Sequence, residues 1–285
     1  MGFLRHFAND FVHVSAWLLL LSAIFIPLER LWGVQPQKVF RRGVWTDLSY
    51  YFVNSLLLSA LLILPMAALA WGLHAVVPGT LLGLASGLPF GARLFLGLVA
   101  GEFGYYWVHR AMHEVPLLWR FHAVHHSAEQ IDWLVSSRAH PVDLVLSRLA
   151  GFIPMYVLGL AHPIQNVLDP VSIAVVLVGT IWGFFIHANL RWRFGPLEWI
   201  VSTPAFHHWH HTNDEHFNHN YSTMLPWMDR IFGTHYMPRG KWPPSYGIDD
   251  KLPDSFSDQL LYPLLPGSSR DRPAATPLSP EPPGA

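Results

Sequence analysis

The residues most able to do chemistry in this chain are its histidines, 18 among 285 residues, and they are unevenly spread. Three groups stand out: His109-Arg-Ala-Met-His113, His122-Ala-Val-His125-His126 and His207-His208-Trp209-His210-His211. Residues three and four apart on a helix share one face, with Cβ atoms about 5–6 Å apart. His109 and His113 can therefore converge on one ion, as can His122 with His125 or His126. In an HxxHH box the adjacent imidazoles diverge slightly, so His125 and His126 can serve two neighbouring metals. The eight imidazoles of the boxes, His109, His113, His122, His125, His126, His207, His210 and His211, are too many for one zinc with three or four ligands. They suit a pair of five- or six-coordinate metals. Imidazole binds iron, copper, zinc and nickel, so ligand type alone does not choose the metal.

Each box has a plainer reading. An HxxxH pair by itself is commonly a surface or core pair, and a single HxxHH is ambiguous. Three boxes, all beside apolar stretches, predict a shared site, because unpaired polar groups near a bilayer are costly. His187 closes an apolar run and is expected as a ninth ligand. His140, in Arg138-Ala139-His140-Pro141, is a further candidate, either as a ligand or as a supporting or turn residue. Simple alternation turns His208 away from His207 and His210. His6, His13, His74, His162 and His235 are isolated and read as structural.

The elements that must position these groups are membrane helices. Hydrophobic residues make up 51% of the chain, charged residues only 13%, and mean hydropathy is +0.26; soluble domains carry about 25% charge. A net charge of −1 argues against a nucleic-acid partner, which needs a basic surface. The absence of cysteine excludes disulfides, thiolate zinc sites and iron–sulfur clusters. Runs free of Asp, Glu, Lys and Arg cover Phe11–Leu28, Leu48–Ala92, Leu149–Leu168 and Pro170–Leu190, and a spanning helix needs about 20 apolar residues. We expect spans over Phe11–Leu28, Leu48–Trp71, Phe90–Val108, Leu149–Leu168 and Pro170–Leu190. The first run lacks a small-x-small cleavage site and is not read as a removable signal. Arg30, Lys38, Arg41 and Arg42 follow the first span, which places that loop in the cytoplasm. Every histidine box then falls on the same face, although charge counting never consulted them.

The fold expected is all-α: a polytopic membrane helical bundle of four to five spans with a cytoplasmic helical cap carrying a histidine-rich dimetal site. Residues 1–93 would form the N-terminal membrane spans and 94–238 the histidine-box catalytic region. Residues 239–285 form a Pro-rich C-terminal tail whose end, GSSRDRPAATPLSPEPPGA, cannot bury a core and is expected to be disordered.

At the histidine boxes the chain resembles the sterol desaturase / fatty acid hydroxylase superfamily of integral membrane non-haem di-iron enzymes. The matching segments are EFGYYWVHRAMHEVPLLWRFHAVHHS (Glu102–Ser127), RAHP (Arg138–Pro141), HANLRWRFGPLEWIVSTPAFHHWHHTND (His187–Asp214) and NYSTMLPWMDRIFGTHYMP (Asn220–Pro238). The resemblance implies a four-helix membrane base under a cytoplasmic cap, two iron ions, O2 as co-substrate, and hydroxylation or desaturation of a lipid. Carried over box by box, it makes the eight box histidines ligands, with His187 matching a further histidine between the second and third boxes. Some members place another histidine four residues later; here it is Arg191, with His140, His219 or a water-bridging Asn220 as substitutes. Electrons would come from a separate donor protein, cytochrome b-type or ferredoxin/reductase.

Asp132, Asp143, Asp214 and Glu215 are candidates for carboxylates supporting the ligands. The lipid is expected to enter laterally from the bilayer. Arg110, Arg120 and Arg138 are read as steering the donor protein or touching lipid head groups, with positive-inside anchoring as the alternative. Two other functions fit less of the pattern. A membrane zinc hydrolase would want a base such as that of HExxH, whereas Glu114 follows its histidine pair. A metal transporter would hold its ligands near the bilayer midplane. Substrate identity (sterol, hopanoid, fatty acyl or ether lipid) is not encoded in the boxes.

Overall fold

The computed structural model describes residues 2–82, 85, 87–160, 169–250 and 252–265. Residues 161–168, the end of the span expected over Leu149–Leu168, and the tail from Pro266 onward lie outside them. Among the described residues all regular structure is helical: α1 (Gly2–Trp32), α2 (Val44–Val76), the single turn α3 (Gly79–Leu82), α4 (Phe90–Glu114), α5 (Pro116–His126), α6 (Pro141–Val157), α7 (Pro170–His187), α8 (Pro204–His210), α9 (Trp227–Ile231) and α10 (Phe256–Leu261). One isolated bridge pairs Thr212 with Tyr246.

Among the described residues, three helices are long and apolar enough to cross a bilayer: α1 over Leu4–Trp32, α2, and α7. Their apolar side chains are largely uncovered by protein; Leu64 is 78% and Trp71 79% exposed, as lipid-facing surface must be. The other two expected spans differ. Helix α4 has 25 residues but carries Arg93, Glu102 and Arg110 along it. Helix α6 begins at Pro141, eight positions before the charge-free run at Leu149, and is only 17 residues long. Pro141 occupies the first helical position, which suits its fixed φ and missing N–H, and the His140 side chain caps the helix by accepting from Val142 N at 3.1 Å. The charge-free run missed this start because α6 turns a polar face, Asp143, Ser147 and Arg148, into the bundle.

Helices α2, α4, α6 and α7 pack around one another, and α1 lies against α2. The α4–α6 crossing is close: a Cβ at Gly104 would run into the Ala150 carbonyl, and one at Gly101 would crowd the Met155 sulfur at 3.3 Å. Small residues that let backbones approach are a recurrent device of membrane helix pairs. At one end of the bundle Arg93 donates to the Leu160 carbonyl (2.8 Å) and pairs with Asp169 (3.3 Å). That contact gathers the start of α4, the end of α6 and the start of α7. The histidines lie at the opposite end.

There, a buried ion network ties the N-terminal helices to the rest. Arg41 makes a two-pronged pair with Asp132 (2.6 Å twice) and reaches Asp47 at 2.7 Å; Arg138 meets the other Asp47 oxygen at 2.5 Å. Bidentate guanidinium–carboxylate contacts are among the stronger and more directional pairs. Nearby, Glu29 accepts from the backbone N–H groups of Trp133 and Asn189. Arg138 is thus fixed inside the protein and is not a steering or head-group residue, which corrects that expectation. Arg110 is paired with Glu114 (2.7 Å) and Arg120 donates to the Leu265 carbonyl.

Candidate metal centre

Every box histidine sits at a helix end that the local sequence dictates. His109 and His113 close α4, His187 closes α7, and α5 and α8 are short helices that each start with Pro at the first position and end in an HxxHH or HHxH run. These ends meet. One potential ligand nitrogen from each of His109, His113, His122, His126 and His210 lies within 4.8 Å of the others, and the same holds for His125, His187, His207 and His211. The nine histidines singled out from sequence are therefore brought together in two groups, with the neighbours His125 and His126 divided between them. His210 and His211 are divided likewise. All nine are buried.

Hydrogen bonding shows what these groups are built to accept. His109 Nδ1 donates to the Tyr221 carbonyl (2.6 Å), His125 to that of Arg138 (2.8 Å), His187 to that of Gly183 (2.7 Å), and His210 to that of His219 (2.8 Å). His122 Nδ1 faces the Asp143 carboxylate at 2.7 Å. An acceptor opposite Nδ1 places the proton there and leaves Nε2 as a bare lone pair in a neutral ring. Yet the Nε2 atoms face one another: His109 and His122 at 3.0 Å, His125 and His187 at 3.2 Å, His187 and His207 at 3.0 Å, His126 and His210 at 3.1 Å. In the first two of these pairs both rings have Nδ1 opposite an acceptor, and two lone pairs at that distance repel unless a cation lies between them.

Protons are poor candidates for that cation. Burial holds the His125 ring down to about 4, and burial first, then neighbouring imidazoles, holds His126, His207, His210 and His211 well below the usual histidine range. Metal ions fit. With metal–nitrogen bonds of about 2.0–2.1 Å, right-angled ligands stand about 3.0 Å apart and tetrahedral ones about 3.4 Å. The observed 3.0–3.2 Å separations fall within that range, as ligands of one ion would.

The remaining candidates are placed elsewhere by their own bonds. His140 spends Nδ1 on its cap and Nε2 on the Leu260 carbonyl. Asn220 donates to the Phe206 and Tyr236 carbonyls and accepts from Tyr236 N. His219 contributes its carbonyl to His210, and its ring faces the His216 carbonyl. Asp214 accepts from His216 N and, with Glu215 and His216, forms a separate, partly exposed group. None of the four belongs to either the five-histidine or the four-histidine cluster. His208 faces away, to Tyr246 Oη and the Ala188 carbonyl. Of the four carboxylates considered, Asp143 reaches a box histidine, whereas Asp132 serves Arg41. Asn218, 3.2 Å from His113 Nδ1, carried no sequence signal that marked it.

The centre opens on a cavity of about 320 Å³ enclosed by α2, α4, α6 and α7. His122, His125, His187 and His207 line one end. Leu58, Leu98, Phe152, Met155 and Val175, each further along its helix from the histidines, line the rest with Tyr105, Ser147, Arg148 and Thr180 between. Glu102, on the α4 wall, accepts from Thr223 N, Met224 N, Leu225 N and Thr223 Oγ1, pinning the strap after the third box across the cavity.

Comparison with known proteins points to the stretch of chain that carries these histidines. A family model described as fatty acid hydroxylase matches residues 94–234. Ornithine lipid hydroxylase OlsE of Rhizobium tropici is 37% identical over 178 residues, 62% of this chain and 51% of that protein. Human alkylglycerol monooxygenase is 33% identical over 142 residues, 49% of this chain and 29% of the relative. The very-long-chain aldehyde decarbonylase GL1-6 of Oryza sativa subsp. japonica is 35% identical over 149 residues, 47% of this chain and 21% of the relative. The chain thus spans about half of the first relative and less of the others. No solved structure matches at a significant level. Through residues 94–234, the stretch that supplies all nine clustered imidazoles, this chain belongs to the fatty acid hydroxylase family, within the sterol desaturase / fatty acid hydroxylase superfamily.

Proposed function

We propose that the chain is a membrane-bound, O2-dependent di-iron oxidoreductase that hydroxylates or desaturates a lipid with electrons from a separate donor protein. The observation that carries this reading is the pair of imidazole groups, five and four, at one end of a lipid-sized cavity. Support comes from relatives named as a lipid hydroxylase and a monooxygenase. His109, His113, His122, His126 and His210 would hold one iron and His125, His187, His207 and His211 the other. When bound, the irons supply the redox chemistry that activates O2 for cleavage of an unactivated C–H bond.

The chain's own residues do the rest. The carbonyls of Tyr221, Arg138, Gly183 and His219, and the Asp143 carboxylate, hold five rings in the tautomer that presents Nε2 inward. The helix walls exclude water and hold the substrate carbon near the histidine end. In this reading α4 and α6 accompany α1, α2 and α7 through the bilayer, since α4, α6 and α7 share the Arg93–Asp169 end. The histidine end faces the cytoplasm. Arg30, Lys38 and Arg42 stand at that end, because the loop after α1 is tied to the end of α7 through Arg191 N to the Trp32 carbonyl and Asn189 to the Gln35 carbonyl. Residues 1–93 then serve both as anchor and as one cavity wall, 94–238 as the catalytic region, and 239–285 as the tail.

A zinc hydrolase fits less well: Glu114, the acid next to the first box, is half-exposed and spent on Arg110. Comparative lipidomics of cells with and without the chain, under ¹⁸O2, tests the proposal. Label in a lipid alcohol indicates hydroxylation, and an unlabelled lipid two hydrogens lighter indicates desaturation. His125→Ala should insert normally yet lose metal and product. An unchanged lipid profile with wild-type protein present, or full turnover by His125→Ala, would refute it.

A further inference from the structure

One charge in the cavity has no role in the metal centre. Arg148, on the inner face of α6, lines the cavity with Tyr105 and Thr180. Among the described residues it makes no ion pair, and the hydrogen bond it has is a long one, Nη2 donating to Thr180 Oγ1 at 3.5 Å. Arginine does not shed its proton under any ordinary condition. Arg148 is half-buried; at membrane depth a guanidinium without a counter-charge is costly, and inside a membrane protein such a residue marks a functional position more often than a structural one. The other cations at this depth and beyond are matched: Arg93 has Asp169, and Arg41 and Arg138 share Asp47 and Asp132. Arg148 alone of these points its charge into space that a ligand would fill.

We propose that Arg148 is the specificity-determining anchor of the substrate. It binds the anionic oxygens, carboxylate or phosphate, of a lipid lying in the cavity, and its distance from the histidines selects which carbon is oxidised. The first half concerns binding alone; the second rests on the oxidase reading given above. Thr180 and His187 are seven residues apart on α7, about 10 Å along its axis. With C–C bonds of about 1.5 Å, a zigzag chain covers that in about seven or eight bonds. The oxidised carbon would stand about that far from the anionic group, while the remaining chain occupies the apolar half of the cavity.

The test is a binding series on the purified full-length protein in a neutral detergent, read by calorimetry without turnover. Hexadecanoate, hexadecyl phosphate and hexadecanol share a chain and differ in head. Wild-type protein should bind one or both anions at least about ten-fold more tightly than the alcohol, the scale of a charge-assisted hydrogen bond; the tighter anion tells carboxylate from phosphate. Arg148→Gln should lose that preference while binding the alcohol unchanged, and Arg148→Lys should keep part of it. Equal wild-type affinity for all three ligands would overturn the anchor, even if Arg148→Gln cannot be purified. So would an Arg148→Gln protein that still prefers the anions. Charge preference in a protein that never oxidises a lipid would sink the oxidase reading and leave the anchor standing.

Discussion

Asp143→Ala isolates the contribution of one supporting carboxylate. Asp143 Oδ2 stands 2.7 Å from His122 Nδ1, both groups are buried, and Ser147 Oγ donates to the other carboxylate oxygen. Removing the carboxylate leaves a buried N–H without an acceptor, worth about 1–3 kcal/mol. The ring then escapes by moving its proton to Nε2, the atom that faces His109 and His126 at 3.0 and 3.2 Å, and so blocks the five-histidine group. Loss of such a partner typically weakens metal affinity about 10–100-fold, equivalent to about 1.4–2.7 kcal/mol, in line with the orphaned donor. The four-histidine group contains no ligand touched by Asp143, so only one of the two groups should empty. Chelator titration followed by metal analysis of the purified protein reads this directly. The variant should release half of its metal at about 10–100-fold lower chelator than wild type, whereas Asp143→Asn, which keeps an acceptor for Nδ1–H, should fall between. Release of both metals together, or a wild-type curve for Asp143→Ala, would refute the tautomer argument.

Three further outcomes follow from the same geometry. Asp47→Ala strips the shared partner from Arg41 and Arg138, both buried; breaking such a pair costs about 3–5 kcal/mol, so thermal unfolding in detergent should move down by many degrees, and an unchanged midpoint would show that the network holds nothing together. Burial holds His125 and His208 at about 4, against about 6.5 unfolded, so the unfolded chain binds more protons between those values. Stability of metal-free protein should be complete above pH 6.5 and fall as pH drops toward 4, by about 3 kcal/mol for each of the two rings; a flat melting temperature from pH 7.5 to 4.5 would contradict it. Gly104→Val should collapse the yield of folded protein, because its side chain meets the Ala150 carbonyl, while Gly72→Ala, with nothing within 4 Å, should be neutral; equal yields would deny the close α4–α6 approach.

The histidine centre was far more legible in the sequence than its surroundings. Spacing at three and four residues is a local property, so the boxes announce themselves, and the slight divergence within HxxHH correctly anticipated that His125 and His126 part company. His187 was legible because it ends an apolar run, and His208 because alternation turns it outward. What holds the rings was not legible. Of the six Nδ1 partners, Asp143 alone was a candidate in the sequence: the carbonyls of Tyr221, Arg138, Gly183 and His219 carry no residue-type signal, and Asn218 reaches His113 across 105 positions. Counting charges also misplaced α6. A helix with one face in a polar cavity tolerates Asp143 and Arg148, so its limits follow the Pro141 start and the His140 cap rather than the charge-free run. The same tolerance hid Arg148, which reads in sequence as the flank of a span and in the structure as a charge inside the bundle.

Metal analysis of the chain purified from iron-replete cells tests the central claim most directly, since everything else depends on what nine buried imidazoles hold. The account predicts two irons per chain, one for each histidine group, falling to about one when His125→Ala removes a ligand from the four-histidine group. Zinc in place of iron, or a single ion bound by wild type and His125→Ala alike, would contradict it.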